Sequence, residues 1–248
     1  MRLPLLGRRV ALYRSADQAE GLASAIQGLG GEPISVPLVA VAAPNDGGAA
    51  LDRLLRNLDD YDWLVFTSSN GVRAVLERDP DALARHPEVA VVGGATAMAV
   101  DAGGGTVRFL PTIATASTLA SELASRGSCR VAAPLAELAG PDLADGLRAR
   151  GFTIDRVEAY RLVDVDPAPE LLKLALDADA AVFTSPSIVD RYVSLQPSRR
   201  PRHLISIGPR TTVRLTEVGL RPTSEADPHD ASGIVAALVA ALAGASSS

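Results

Sequence analysis

Residues 62–72 read DWLVFTSSNGV, and residues 179–189 read DAAVFTSPSIV. Each stretch opens on an acidic residue and runs through apolar positions to Phe-Thr-Ser: Phe66-Thr67-Ser68 in the first, Phe183-Thr184-Ser185 in the second. An apolar run bounded by small hydroxyl residues suits a strand buried on both faces of a parallel sheet. Ser185 followed by Pro186 is a helix N-cap with proline at the first helical position. Both stretches therefore predict a strand, a tight turn and a helix start, where free backbone N–H groups can hold an anion. One copy needs no explanation beyond a well-capped helix; two matched copies do.

Working outward, the match extends. Phe66 and Phe183 stand 117 residues apart, and Gly93-Gly94-Ala95-Thr96 and Gly208-Pro209-Arg210-Thr211 stand 115 apart. Leu22, Gly30 and Val36 find counterparts in Leu143, Gly151 and Val157, 121 residues on. Ordered matches at nearly constant offset point to an internal duplication, and the repeat alone divides the chain near residue 125. Strand patterns at 8–14, 61–66, 89–92, 106–111, from Cys129, and at 152–163, 179–184, 203–208 and 220–224 alternate with helical ones. The helices fall at 16–29, 49–58, 68–77, 94–100, 115–127, 140–151, 168–176, 186–194, after Pro209, and at 231–243. Strict strand–helix alternation predicts parallel sheets. The run EPISVPLV reads as a strand interrupted by Pro33 and Pro37, which suits an edge or a connector. The final residues, 241–248, are expected to fray.

Composition limits the possibilities. The chain has 248 residues, enough for two domains, with 47% apolar and only 4% aromatic residues, as in Ala/Val/Leu-rich α/β proteins. A net charge of −5 gives no global basic field for nucleic acid or an acidic membrane. The lone Cys129 rules out an internal disulfide framework and is expected to pack as a small hydrophobe in a reducing compartment. No apolar run reaches the ~18 residues a membrane span needs, and MRLPLLGRR lacks a full signal-peptide core, so a cytoplasmic protein is expected.

Several chemistries find no support. GxGxxG after a strand, GxxxxGK[ST] and GxSxG are all absent. His86, His203 and His229 sit singly in expected loops without metal-ligand spacing. The basic run SRRPRH (198–203) reads as a solvated loop, and the acidic residues form no convincing acid/base pair. What remains is a set of turns, each after a strand and before a helix. These are Thr67 to Asn70, with Ser68, Ser69 and Asn70; Gly94 to Thr96; Thr184 to Ser187, with Ser185 and Ser187; and Gly208 to Thr211. Ligands of open α/β sheets sit at the carboxyl ends of strands. Such turns suit a flexible ligand with several carboxylates, at ~1.5–3 kcal/mol for each hydrogen bond to an ionised group.

Taken together, FTSSNGV, VGGATA, LADGLRARGFTIDRVEAYRL, FTSPS and IGPRTT followed by LTEVGLRP resemble the uroporphyrinogen-III synthase family over about residues 10–242. The resemblance implies two similar three-layer α/β domains with parallel sheets, joined by a two-stranded connector. One domain would combine residues 1–37 with 166–248, and the other would be 38–165. It implies a cyclising lyase that converts the linear tetrapyrrole hydroxymethylbilane to uroporphyrinogen III, losing water and inverting the terminal pyrrole ring. It also implies a monomer that uses no metal or organic cofactor. Tyr160 matches the family tyrosine and would assist hydroxyl departure; Ser68, Thr96, Ser185 and Thr211 match positions that would hold carboxylates. After the first strand, Tyr13-Arg14-Ser15 keeps only the arginine of the usual pattern, and Arg14 joins the binding set. The turn at 134–139 is apolar, with Leu135 and Leu138, where the family commonly has an Arg/Gly-rich one. The alternative reading is a non-catalytic, synthase-like module that binds a ligand for a transcriptional regulator.

Overall fold

The computed structural model describes residues 3–14, 16–85, 88–123 and 129–243, with only the backbone at 16–18 and 243. Ser15, His86, the end of the 115–127 helix and the last five residues lie outside them. In chain order the elements begin β1 (Arg9–Leu12), α1 (Ala16–Gly28), β2 (Glu32–Ser35), β3 (Val39–Ala42), α2 (Ala49–Arg56), β4 (Trp63–Phe66) and α3 (Ser69–Arg78). Next come α4 (Ala82–Arg85), β5 (Val89–Val91), α5 (Gly94–Ala102), β6 (Val107–Phe109), α6 (Ala116–Glu122), β7 (Arg130–Ala136) and α7 (Asp142–Ala149). The chain finishes with β8 (Thr153–Asp164), α8 (Pro169–Leu176), β9 (Ala180–Phe183), α9 (Pro186–Ser194), β10 (His203–Ser206), α10 (Pro209–Glu217), β11 (Ser224–Glu225) and α11 (Ala231–Ala243).

The described residues divide into two compact units. One takes the chain up to Ala40 and again from Val163; the other is Val41–Leu162. The boundary does not fall near residue 125, where a tandem repeat would put it. The chain passes from one unit to the other once within β3 and once within β8, which are neighbours in the same sheet. The first unit's sheet has the order β11-β10-β9-β1-β2, and the second has β3-β8-β7-β4-β5-β6. The pairings β1–β2, β1–β9, β9–β10 and β10–β11 are parallel, and so are β7–β8, β4–β7, β4–β5 and β5–β6.

The duplication read from the sequence is visible in these orders. If β7 corresponds to β1, β8 to β2, and β4, β5 and β6 to β9, β10 and β11, the two five-strand orders coincide. The second unit simply begins at a different strand. Helix ends repeat as well. Gly30 and Gly151 both take left-handed φ, 84° and 85°, and the next residue's N–H reaches back to Ile26 and Leu147. Gly104 and Gly219 do the same at 78° and 77°, where a residue with a Cβ would be strained.

Each sheet is covered on both faces, so the strands read as continuous apolar runs and not as alternating ones. In the second unit Leu64 and Phe66 pack with Leu51, Leu54, Val72, Val75 and Val100, while Val65 points the other way, toward Leu119, Leu143 and Leu147. In the first unit Val10, Leu12 and Val182 meet Ile26 and Leu238; Ala11, Phe183 and Leu204 meet Val189, Tyr192 and Leu215. Cys129 is buried within the apolar cluster of Leu143 and Phe152, as the composition implied.

Three local expectations are corrected. Residues 32–39 are not one strand: Pro37 separates β2, at the edge of its sheet, from β3. The last short strand is Ser224–Glu225, not 220–224, because Gly219 ends α10 and an extended stretch precedes the pairing with β10. The turn expected at 134–139 starts later, since β7 continues to Ala136. Pro134 is tolerated there because β4 pairs with β7 only at Val131 and Ala132, so no ladder bond on that side needs its missing N–H.

Candidate functional site

In each unit the strand order reverses beside the strand that carries Phe-Thr-Ser. The reversal lies between β4 and β7 in the second unit and between β1 and β9 in the first. The crevice at the carboxyl end of such a reversal is where open parallel sheets take ligands. The candidate residues fall at these two edges.

In the second unit Phe66 is fully buried at the end of β4, a contribution of about 1.5–3 kcal/mol for a side chain of this size. It anchors the turn that follows. Ser68 is extended, and its Oγ accepts from the Gly71 N–H at 3.2 Å, capping α3. The same Oγ lies 2.8 Å from the Tyr160 hydroxyl, delivered by β8 from two strands away. Tyr160 keeps 6% exposure: its ring belongs to the apolar cluster of Leu51, Phe66 and Val72, and its hydroxyl reaches Ser68. Ser69 is exposed and Asn70 partly so, in the first turn of α3. Gly71 belongs to the same construction. A Cβ there would stand 2.9 Å from the Pro134 carbonyl oxygen, so glycine lets α3 approach the end of β7. At the next turn Gly93 is the extended N-cap of α5, Gly94 is exposed, and Thr96 is 5% exposed beneath the helix start.

The first unit repeats the plan. Ser185 is extended, accepts from the Ile188 N–H at 3.4 Å and lies 2.9 Å from the Ser187 hydroxyl. Gly208 caps α10, and Thr211 is 3% exposed, in the place Thr96 holds in the other unit. Arg14 follows β1, partly exposed, its N–H donating to the Leu12 carbonyl at 2.8 Å. Behind this edge Tyr13, Phe183 and Tyr192 pack with all three ring centroids 5.2 Å apart. Neither phenol forms a well-aligned hydrogen bond, and burial holds both hydroxyls protonated, Tyr192 up to about 12 and Tyr13 higher. They are structural groups, not proton donors for catalysis.

Two groups were missed in the sequence. Asn45, just after β3, donates its N–H to Glu158 at 2.6 Å and its amide to Glu137 at 2.8 Å and to Glu158 at 3.2 Å. Glu137 in turn donates its N–H to the Tyr160 carbonyl. Two carboxylates are therefore brought together on Asn45 by the β7–β8 pairing, close in the chain to Tyr160, and the pairing leaves no motif. His229 is the second. It rests against the cap of α10, where a Cβ on Gly208 would come within 3.3 Å of its ring, and its Nε2 lies 3.5 Å from Glu225. Glu225 also accepts from Thr212, whose hydroxyl is 2.6 Å from that of Ser206.

The remaining candidates stay apart from these edges. His203 begins β10, and SRRPRH leads into it, so both lie at the amino end of the strand, away from the turns. Among the described residues, no group of three or more His, Cys, Asp or Glu is placed to hold a metal ion. No helix among them is long and apolar enough to cross a membrane.

Fold and site define a protein of two duplicated, doubly wound α/β units with hydroxyl-rimmed helix starts. The family model described as uroporphyrinogen-III synthase HemD matches residues 20–236. The chain belongs to the uroporphyrinogen-III synthase family. It is 26% identical over 257 aligned residues to the uroporphyrinogen-III synthase of Synechococcus elongatus, covering 95% of this chain and 96% of that one. To the chloroplastic uroporphyrinogen-III synthase of Oryza sativa subsp. japonica it is 32% identical over 187 residues, covering 70% of this chain and 62% of the relative. A crystal structure of a mutant uroporphyrinogen III synthase from the extremely thermophilic bacterium Thermus thermophilus shares the fold, with a TM-score of 0.62, 21% identity, and coverage of 95% and 99%.

Proposed function

We propose that this chain is a uroporphyrinogen-III synthase: a cyclising lyase that closes hydroxymethylbilane to uroporphyrinogen III, with loss of water and inversion of the terminal ring. The observation that carries the reading is the Tyr160–Ser68 hydroxyl pair at the strand-order reversal, within a chain that belongs to this family. The linear substrate carries carboxylate arms. These arms are assigned to the backbone N–H groups at the starts of α3, α5, α9 and α10, with Ser69, Asn70, Ser187 and Arg14 as side-chain partners. Holding several arms at once restricts the chain to the shape from which one closure is favoured.

Tyr160 is the group placed to assist departure of the terminal hydroxyl. Its contribution is a hydrogen bond donated to the leaving oxygen. Ser68 orients it: when the Ser68 hydroxyl accepts the Gly71 N–H, its own hydrogen is free to point at the Tyr160 oxygen. With that polarity the Tyr160 hydrogen is left to donate to the leaving oxygen of the substrate. Thr96 and Thr211, being buried, shape the helix starts from below. Glu137 and Glu158 repel a carboxylate arm from the end of β7, which steers the arms toward the helix starts.

The test is direct. The protein is incubated with hydroxymethylbilane, and the uroporphyrinogen isomers are oxidised and separated. Accumulation of the type III isomer above the spontaneous background is expected. A product consisting only of the type I isomer would overturn the reading and leave a binding module.

A further inference from the structure

We infer that Met98 and Val213 are contact residues for the apolar body of the ligand, the pyrrole rings and their bridging carbons. The inference rests on the synthase reading above. Single exposed apolar side chains are ordinary on a protein surface and need no account. These two differ because the duplication has placed them at the same position twice. Met98 is 74% exposed on α5 and Val213 is 56% exposed on α10. From Gly94 to Val100 the burial runs exposed, exposed, buried, intermediate, exposed, intermediate, buried, and from Pro209 to Leu215 it runs identically. The residues that fill the core, Thr96 with Val100 and Thr211 with Leu215, match in kind, as core residues must. Nothing in the folding of either unit requires the solvent-facing fifth position of the helix to be apolar in both.

Position gives the reason. Met98 is four residues beyond Gly94 and Val213 four beyond Pro209, the first residue of each helix. Helical side chains lean toward the N-terminus and cover the preceding turn. Each side chain therefore overlies the turn whose backbone N–H groups are offered to a carboxylate. Leu138, 89% exposed after β7, and Ile113, 64% exposed after β6, add apolar surface at the same carboxyl edge of the second unit. A ligand with carboxylate arms on apolar rings is matched by such a pairing: polar N–H groups at the helix start and an apolar side chain one turn above. Met98, unbranched and polarisable, can follow a ring that moves as the chain closes.

The experiment uses the full chain with Met98 and Val213 each changed to aspartate and to lysine, and Leu174→Gln as an exposed-helix control. Leu174 is 48% exposed on α8, away from the strand carboxyl ends. KM for hydroxymethylbilane is measured, together with the dissociation constant of uroporphyrin III, which reads binding whether or not turnover occurs. Thermal melts confirm folding. Both substitutions at both positions are expected to raise KM and weaken uroporphyrin binding by about fourfold or more, the scale set by one methylene's worth of apolar burial, while Leu174→Gln changes neither. Unchanged binding in all four variants would overturn the inference. Tighter binding by the lysine variants with weaker binding by the aspartate ones would also overturn it, since the positions would then sense only charge. An inactive parent chain would instead count against the synthase reading; the uroporphyrin titration would still decide the role of Met98 and Val213.

Discussion

The hydroxyl of Tyr160 is held by a residue that also caps a helix, so the two roles can be separated by substitution. Tyr160→Phe leaves the Ser68–Gly71 cap in place, and Ser68→Ala removes both the cap and the phenol's partner. Turnover by Tyr160→Phe is expected to fall by roughly tenfold or more, on the lower side of general-acid effects, with its urea midpoint little changed. Ser68→Ala is expected to lose about 1 kcal/mol of stability as well, as lost N-caps typically do. Steady-state rates alongside urea titrations of the two variants check this, and an unchanged rate for Tyr160→Phe would return the ring to a packing role. The resemblance singled out both residues in the sequence. Their contact could not be read there, because it depends on β8 lying two strands from β4. The partnership of Asn45 with Glu137 and Glu158 was illegible for the same reason.

At the scale of elements, the close approach of α3 to β7 rests on one missing side chain. Gly71→Ala puts a Cβ 2.9 Å from a backbone oxygen, which cannot swing aside as a flexible side chain would. A loss of about 1–3 kcal/mol is expected, as for overpacked sites, and with it a displaced Ser68 and slower turnover; a denaturation midpoint equal to that of the parent would refute it. The start of β10 gives a pH dependence. Burial, aided by Arg202 and Arg8, holds the His203 imidazole below its usual value, and its Nδ1 is buried without a partner. The unfolded chain then takes up a proton at His203 more readily than the folded one, so stability is lost as pH falls through about 6.5, the ordinary histidine value. Thermal melts between pH 7.5 and 5.5 should show the decline, and His203→Gln should flatten it. Asp46 and Asp230, held low by hydrogen bonds from Ala50 and Ser232 respectively, act only in more acidic solution. Element types were largely legible, because buried parallel strands are written as apolar runs and the helices carry caps at Ser68, Ser185 and the proline starts. Boundaries failed where local rules competed with pairing. Pro134 reads as a strand end, yet β8 carries β7 two residues further, whereas the interruption read at Pro37 does separate β2 from β3.

On the scale of the whole molecule, the duplication was legible from Phe66 and Phe183, from the paired Gly-rich turns and from the helix-ending glycines. The repeat did not carry the boundary, since it fixes the offset between equivalent residues and says nothing about which strands share a sheet; a discontinuous division was read only from the family resemblance. The strand orders resolve it: the second unit is one continuous segment, and the first is assembled from both ends of the chain. That division sets an order of events on the ribosome. When synthesis has passed Leu162, the middle segment holds every strand of its own sheet and can close its core. By then β1 and β2 have been made, but β1 lacks its neighbour β9, and the apolar residues Val10, Leu12 and Ile26 wait for helices and strands not yet translated. Nascent chains stalled just after the middle segment has cleared the exit tunnel should therefore show protease protection of Val41–Leu162, while the segment up to Ala40 remains cleavable. Protection of both together would contradict it. The segment up to Ala40 is thus made before the middle unit yet finds its place after it, and its exposure time is set by the rate at which the strands from β9 onward are translated.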